Sequence, residues 1–281
     1  MDISPLTRKL VALALDEDDV HHDVTAALAV PPSHRSVARI VARERLVVCG
    51  LGIVGCIIEQ SGFSLTAVEL ATEGAEASAD AVLAEISGPT RELLAVERTI
   101  LNFLQRLCGV ATHTREFVKK ADGLVVLDTR KTMPGWRALD KHATAVGGAR
   151  NHRMSLGDMV LVKNNHIDAS PGGIRAALEG VVAGKPENMP WEVEVRSLDE
   201  LRVALEFRPT FVMLDNFSDA GIGEAMAVIT ACKSRPMIEA SGGVRAERLS
   251  VLKGLGVDAV SSGFLTTHAP NVDISMRLSA A

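Results

Sequence analysis

The sequence predicts an α/β protein whose longer, C-terminal part forms either an α/β barrel or a doubly wound sheet. Three observations carry this. From about residue 124 short apolar runs alternate with helix-length amphipathic segments, the mark of parallel strands joined by helical crossovers. A chain of 281 residues that is 47% hydrophobic can bury a sizeable core. Finally, nearly every apolar run ends in a chemically capable polar group, as expected where strand ends open onto a common site.

Taken in order, the first hundred or so residues are irregular in rhythm. "ALDEDDVHHDVTAALAVPPSH" is acidic and then turn-forming, "SVARIVARERLVVCGLGIVG" mixes strand alternation with glycines, and "GAEASADAVLAEISGPT" reads as strand and turn. A long helix is predicted from about Thr90 to Val110, because Leu93, Leu94, Val96, Ile100, Leu101, Leu104 and Leu107 recur close to a 3.6-residue period. The strand runs follow: "LVVLD" (124–128), "DMVLVK" (158–163), "WEVEV" (191–195), "FVMLD" (211–215), "PMIEA" (236–240) and "VDAVSS" (257–262). "GGIRAALEGVVAG" and "SLDELRVALEF" are helices between them.

Composition excludes several classes. Mean hydropathy is +0.18, yet no apolar run approaches the roughly 18 residues of a membrane span, so no membrane partner is expected. The N-terminus lacks a cleavable signal pattern. Four cysteines (Cys49, Cys56, Cys108, Cys232) without C-x-x-C spacing read as free thiols of a cytoplasmic protein, with Cys108 in the core. Tyrosine is absent and aromatics make up 3%, which argues against a base-stacking nucleic-acid platform. The histidines His21, His22, His113 and His268 lack metal spacing and read as surface or loop residues. Net charge is −5, but Asp128 to His166 carries seven Lys/Arg against three acids, +4, leaving −9 elsewhere. A cationic segment flanking apolar strands in an acidic protein points to a focused small-anion site rather than to a solvated charged face.

Three groups of residues gather at the strand ends. Arg130, Lys131, His152, Arg153 and Lys163 lie just past or between strands; arginine offers a planar bidentate fork and lysine a compact charge, and the set would repel itself without an anionic ligand. Glu194 and Asp215 end successive strands, placed to hold a divalent cation or sugar hydroxyls; such oxygen donors favour Mg²⁺ over Zn²⁺. The bland alternative is that one of these acids caps a helix. "EASGGVR" and "SSGFL", in successive β/α units, place Ser241, Gly242 and Gly243, then Ser262 and Gly263, where backbone N–H groups can cradle a phosphate.

In order and spacing, "LDTRKTMPGWR", "GGARNHRMSLGDMVLVKNNHI", "EVEV", "FVMLDNFS", "IEASGGV" and "GVDAVSSG" closely resemble the quinolinate phosphoribosyltransferase family, the decarboxylating nicotinate-nucleotide pyrophosphorylases. "ERTILNFLQRLCGVAT" matches that family's long helix, so the resemblance covers most of the chain. It implies an N-terminal α/β sandwich over residues 1–110, joined by the tail 268–281, and an open, incomplete TIM-like α/β barrel over 111–267. It also implies a homodimer or a hexamer (a trimer of dimers) in which one subunit's N-terminal domain closes the other's barrel mouth. The implied reaction joins quinolinate to 5-phosphoribosyl-1-pyrophosphate with Mg²⁺, giving nicotinate mononucleotide, pyrophosphate and CO₂. By this resemblance Arg130, His152, Arg153 and Lys163 surround the quinolinate carboxylates, with Arg98 supplied by the neighbouring subunit. Lys131 and Lys163 face the activated sugar, Glu194 and Asp215 hold ribose or Mg²⁺, and Ser241, Gly242, Gly243, Ser262 and Gly263 take the 5-phosphate.

The sequence departs from the family pattern at Asn164, where Asp is usual, at Ala149, where a third glycine is common, and at His22, where Gly is usual. The nearest rival reading is a phosphoribosyltransferase acting on nicotinate without decarboxylation. A ligand sensor on the same scaffold is disfavoured by the intact set of cations and carboxylates.

Overall fold

A computed structural model of the chain describes residues 1 and 3–280, which fall into two compact units. The first comprises Met1–Glu116, Thr132–Gly148 and Leu265–Ala281; the second comprises Phe117–Lys131 and Ala149–Phe264.

The first unit is built on a four-stranded sheet in the order Ile274–Ala280, Arg35–Ala42, Val82–Pro89, Thr66–Glu69, antiparallel throughout. The helices Pro5–Glu17, Gly52–Ser61 and Thr90–Ala121 contribute to its core, where Ile40, Ile57, Ile86, Leu93, Ile100 and Leu104 are fully buried. Ser4 starts the first helix by accepting the Thr7 N–H at 3.1 Å, with Pro5 at the first helical position.

The predicted long helix is present but runs on past Val110 to Ala121. Gly109 and Val110 look like a terminus in sequence, yet Gly109 has another use. A Cβ there would lie 3.2 Å from Asn271 Cα and closer still to the Pro270 carbonyl, so the missing side chain lets the tail pack on the helix. Residues 132–148, within the range read as barrel, also belong to the first unit. The contacts explain it: Trp136 stacks on Phe103 with centroids 4.8 Å apart, and buried Asp140 pairs with Arg106 at 3.1 Å. Pro134 and Gly135 form the turn before the helix Arg137–Gly147, Gly135 at φ +83° and the Trp136 N–H bonded to the Met133 carbonyl.

The second unit is a six-stranded parallel sheet in the order Val125–Leu127, Ala259–Ser261, Met237–Ser241, Phe211–Asp215, Trp191–Val195, Val160–Val162. Every strand coincides with a predicted apolar run. The first and last strands do not pair with each other among the described residues, and a single parallel bridge, Leu127 to Arg150, extends one edge. The sheet is therefore an open barrel. Its strands are buried on both faces, as in parallel sheets covered by helices, so a charged residue within one must face the interior. In Trp191–Val195, Val193 and Val195 alternate with Glu192 and Glu194, and all are buried. The crossover helices Leu198–Glu206 and Asp219–Thr230 are capped by Ser197 and Ser218, not by Glu194 or Asp215, which leaves both acids free for the strand-end site.

Candidate active site

The strand ends of the second unit enclose a cavity of about 560 Å³. Arg130 and Lys131 enter it directly after Val125–Leu127, and His152 and Arg153 after the Arg150 bridge. Lys163 follows the edge strand Val160–Val162 and Glu194 lies on its neighbour Trp191–Val195, with Lys163 Nζ 3.2 Å from Glu194 Oε2. Asp215, Ser241, Gly242 and Gly243 complete the rim. Ten of the residues singled out in the sequence thus share one cavity.

The other three, Ser262, Gly263 and Arg98, sit differently. In the last strand it is Ser261 that lines the cavity, its hydroxyl 3.1 Å from that of Ser241. The Ser262 side chain is buried and donates to the Val244 carbonyl at 3.0 Å, as strand alternation requires of the next residue. Gly263 does not line the cavity but admits a residue that does: a Cβ there would lie 2.7 Å from Lys131 Cδ. Arg98 is exposed on the long helix of the first unit, beside a separate cavity of about 330 Å³ lined also by Asp18, Asn102 and Trp136.

The electrostatics of this cavity suit an anion. Burial, then the nearby Arg130 charge, pull the Arg153 guanidinium below its ordinary range. Arg130 Nε is buried with no hydrogen-bond partner among the described residues. An unsatisfied buried donor beside a destabilised cation suits a carboxylate or phosphate ligand. At the opposite rim Gly242 and Gly243 take φ +90° and +60°. A Cβ at Gly242 would lie 2.7 Å from the Asn216 backbone nitrogen, so only glycine allows this close approach. The loop leads into a single 3₁₀ turn, Ala246–Arg248, rather than straight into an α-helix.

Sequence reasoning assigned no role to the residues behind the rim. Glu192 and Glu239 are 1% and 2% exposed, and His152 Nε2 lies 3.0 Å from Glu192 Oε2 and 3.6 Å from Glu239 Oε2. Buried Asp128 accepts the His152 backbone N–H at 2.8 Å, fixing the start of the "NHR" segment. The signal for Glu192 was present, since a glutamate two residues before Glu194 in one strand shares its face. Thr129, Leu161, Met213 and Asn216 also line the cavity.

Burial, then the Glu192 charge, push the Glu239 carboxyl well above its ordinary range, against Ser261 and Lys163, which favour its ionised form. A carboxyl raised on folding binds its proton more tightly in the native state. Its contribution is therefore complete below the ordinary carboxylate range and is lost as pH rises through the folded value. The Glu239→Gln variant is accordingly expected to gain stability relative to the parent between pH 5 and pH 8. Urea midpoints measured across that interval check this, and a difference independent of pH would refute it.

The geometry agrees with the comparisons. Residues 110–277 match the family model described as quinolinate phosphoribosyl transferase, C-terminal domain, and residues 23–108 match its N-terminal domain. A probable nicotinate-nucleotide pyrophosphorylase [carboxylating] of Synechocystis sp. is 37% identical over 87% of this chain and 83% of its own length. Its namesake in Methanocaldococcus jannaschii is 35% identical over 96% of both chains. The solved nicotinate-nucleotide pyrophosphorylase of Francisella tularensis superposes with a TM-score of 0.87 at 34% identity, covering 98% of this chain and 96% of that one. With both domain models matched in succession and the cation-lined cavity at the strand ends, the chain belongs to the quinolinate phosphoribosyltransferase family.

Proposed function

We propose that the chain transfers the phosphoribosyl group of 5-phosphoribosyl-1-pyrophosphate to quinolinate and decarboxylates the product, releasing nicotinate mononucleotide, pyrophosphate and CO₂ in NAD biosynthesis. The observation that carries this reading is the set of four Arg/Lys side chains (Arg130, Lys131, Arg153 and Lys163) lining one cavity, with Arg130 Nε unpartnered. Quinolinate is a dianion and the activated sugar a polyanion, so both need such a set.

In this reading Arg130, Arg153 and Lys163 hold the quinolinate carboxylates beside His152, with Arg98 of the partner subunit completing the site in a homodimer. Lys131 and Lys163 face the pyrophosphate-bearing sugar. The 5-phosphate rests on Ser241, Gly242 and Gly243, with Ser262 and Gly263 forming the adjoining loop. Glu194 and Asp215 contact the ribose hydroxyls.

The quinolinate nitrogen bonds to the anomeric carbon as the carbon–oxygen bond to pyrophosphate breaks. Lys131 and Lys163 neutralise the departing anion, and Glu194 and Asp215 lie against the positive charge that develops on the sugar. Clamping both carboxylates aims the ring nitrogen and contributes through orientation. The alkylated nitrogen, now cationic, stabilises the electron pair left on the adjacent ring carbon when the carboxylate departs as CO₂, and a proton added to that carbon then completes the ring. The substrate provides its own electron sink, and no organic cofactor is required.

Glu194 and Asp215 are carboxylates lining the cavity without Cys or His beside them, a donor set that fits Mg²⁺. Mg²⁺ bound there would supply positive charge to the pyrophosphate. Among the described residues no helix is long and apolar enough to cross a membrane, and the four cysteines are unpaired, which supports a reducing compartment such as the cytoplasm.

Incubation with quinolinate, 5-phosphoribosyl-1-pyrophosphate and Mg²⁺ is expected to release CO₂ and nicotinate mononucleotide in equal amounts, while nicotinate in place of quinolinate gives little product. Faster turnover of nicotinate would favour the non-decarboxylating alternative.

A further inference from the structure

Three side chains of metal-ligating type converge in the first unit: Cys49, Glu73 and His142, whose ligand atoms all lie within 4.8 Å of one another. Each comes from a different segment. Cys49 follows the short strand Leu46–Val47, Glu73 lies in the turn before its antiparallel partner Glu76–Ala77, and His142 stands on the helix Arg137–Gly147. The three are far apart in sequence, so no spacing pattern announces them.

The fold itself holds these segments together. The Gly74 N–H donates to the Val48 carbonyl at 2.8 Å. The Arg115 guanidinium donates to the carbonyls of Gly74, Val146 and Gly147, tying that turn to the end of the helix. The buried Cys108 thiol accepts the Cys49 N–H and donates to the Cys49 carbonyl, both at 3.3 Å, which fixes the backbone beneath Cys49. Gly50, at φ +86°, turns its N–H onto both Glu73 oxygens at 3.0 Å. An oriented carboxylate and a locked ligand backbone are the outer support that a metal site needs.

The donor set is selective. Cys49 is fully buried, out of reach of a substrate, which speaks against a nucleophile. The Glu73 and His142 side chains are 33% and 27% exposed, leaving an entry for an ion and room for a water. One sulfur, one imidazole nitrogen and one carboxylate oxygen suit Zn²⁺, whereas Mg²⁺ takes oxygen ligands. His142 Nε2 and Glu73 Oε1 now lie 2.7 Å apart in a hydrogen bond. Two ligands about 2.0 Å from a tetrahedral centre stand about 3.3 Å apart, a small opening for two part-exposed side chains.

We propose that Cys49, Glu73 and His142 form a zinc site, with a water as the fourth ligand. On binding, the thiol gives up its proton to solvent, and His142 ligates as the neutral ring with its proton on the nitrogen away from the ion. The ion joins the loop after Leu46–Val47, the turn before Glu76–Ala77 and the helix Arg137–Gly147, and so stabilises the first unit. This site is independent of the quinolinate reading.

The test uses the full chain, stripped of metal by a chelator and titrated with Co²⁺ as a visible probe, with excess Mg²⁺ present to fill oxygen-only sites. One equivalent is expected to raise a thiolate-to-cobalt charge-transfer band together with the intense visible bands of a four-coordinate ion, and Zn²⁺ should abolish both. Cys49→Ser should lose the charge-transfer band. Glu73→Gln and His142→Gln should each weaken binding by about 100-fold, and Cys232→Ser should change nothing. Zn²⁺ should raise the melting temperature of the parent but not of His142→Gln at the same concentration. If Cys49→Ser does not fold, His142→Gln, a change at a part-exposed side chain, carries the decision. No charge-transfer band at saturating Co²⁺ would overturn the proposal and leave the three side chains as a hydrogen-bonded cluster. So would unaltered affinity in His142→Gln, or a band lost in Cys232→Ser instead.

Discussion

Arg130→Ala is expected to lower kcat/KM for quinolinate by about two to three orders of magnitude, the loss of one charge-assisted, desolvated contact worth about 3–4 kcal/mol. The structure gives this residue the largest expected effect because its Nε is buried and unpartnered, so nothing in the chain itself competes for it. Arg130→Lys should recover little of the loss, since an ammonium cannot reproduce a bidentate fork. Removing Arg130 also relieves its repulsion of Arg153, whose guanidinium should then return toward its ordinary range. Steady-state kinetics with varied quinolinate at saturating activated sugar measure the effect, and a loss below ten-fold would remove Arg130 from the carboxylate clamp.

The second large effect concerns two polypeptides. Arg98→Ala and Lys163→Ala should each abolish turnover when assayed alone, because in the proposed homodimer each variant then has two defective sites. Mixed under conditions that exchange subunits, they should recover about a quarter of parental activity, because half the dimers are mixed and each mixed dimer has one intact site. Arg98 supports this as an exposed side chain in the first unit, whereas Lys163 lines the cavity of the second. Proven exchange without recovered activity would show that Arg98 does not serve a partner's site.

Much of the second unit was legible in the sequence, because parallel strands buried on both faces appear as compact apolar runs. All six runs match strands to within two residues at either end. The rim was legible for a related reason. A lysine or carboxylate directly after such a run has few places to go except the strand-end cavity, and Lys163, Glu194 and Asp215 all line it.

What lay deeper was harder to read. Glu192 sits inside its strand, where a charged residue suggests a solvated edge until the neighbouring strands are known. The place of Glu239 depends on His152 crossing the interior, which no local pattern encodes. Ser261 and Ser262 exchange roles for want of one residue of register. Gly109 resembles a helix terminus locally and is instead a docking point for residues far along the chain. Arg98 carries no local mark of function and enters only through the family resemblance.

The pairing of Ile274–Ala280 with Arg35–Ala42 has a consequence for biosynthesis. The inner strand Arg35–Ala42 leaves the ribosome long before the partner that covers one of its edges. Until that partner arrives, its row of unmet amides is open to pairing with another nascent chain. Loss of the tail strand should therefore show first as poor recovery of intact protein during expression, before any altered chemistry is seen.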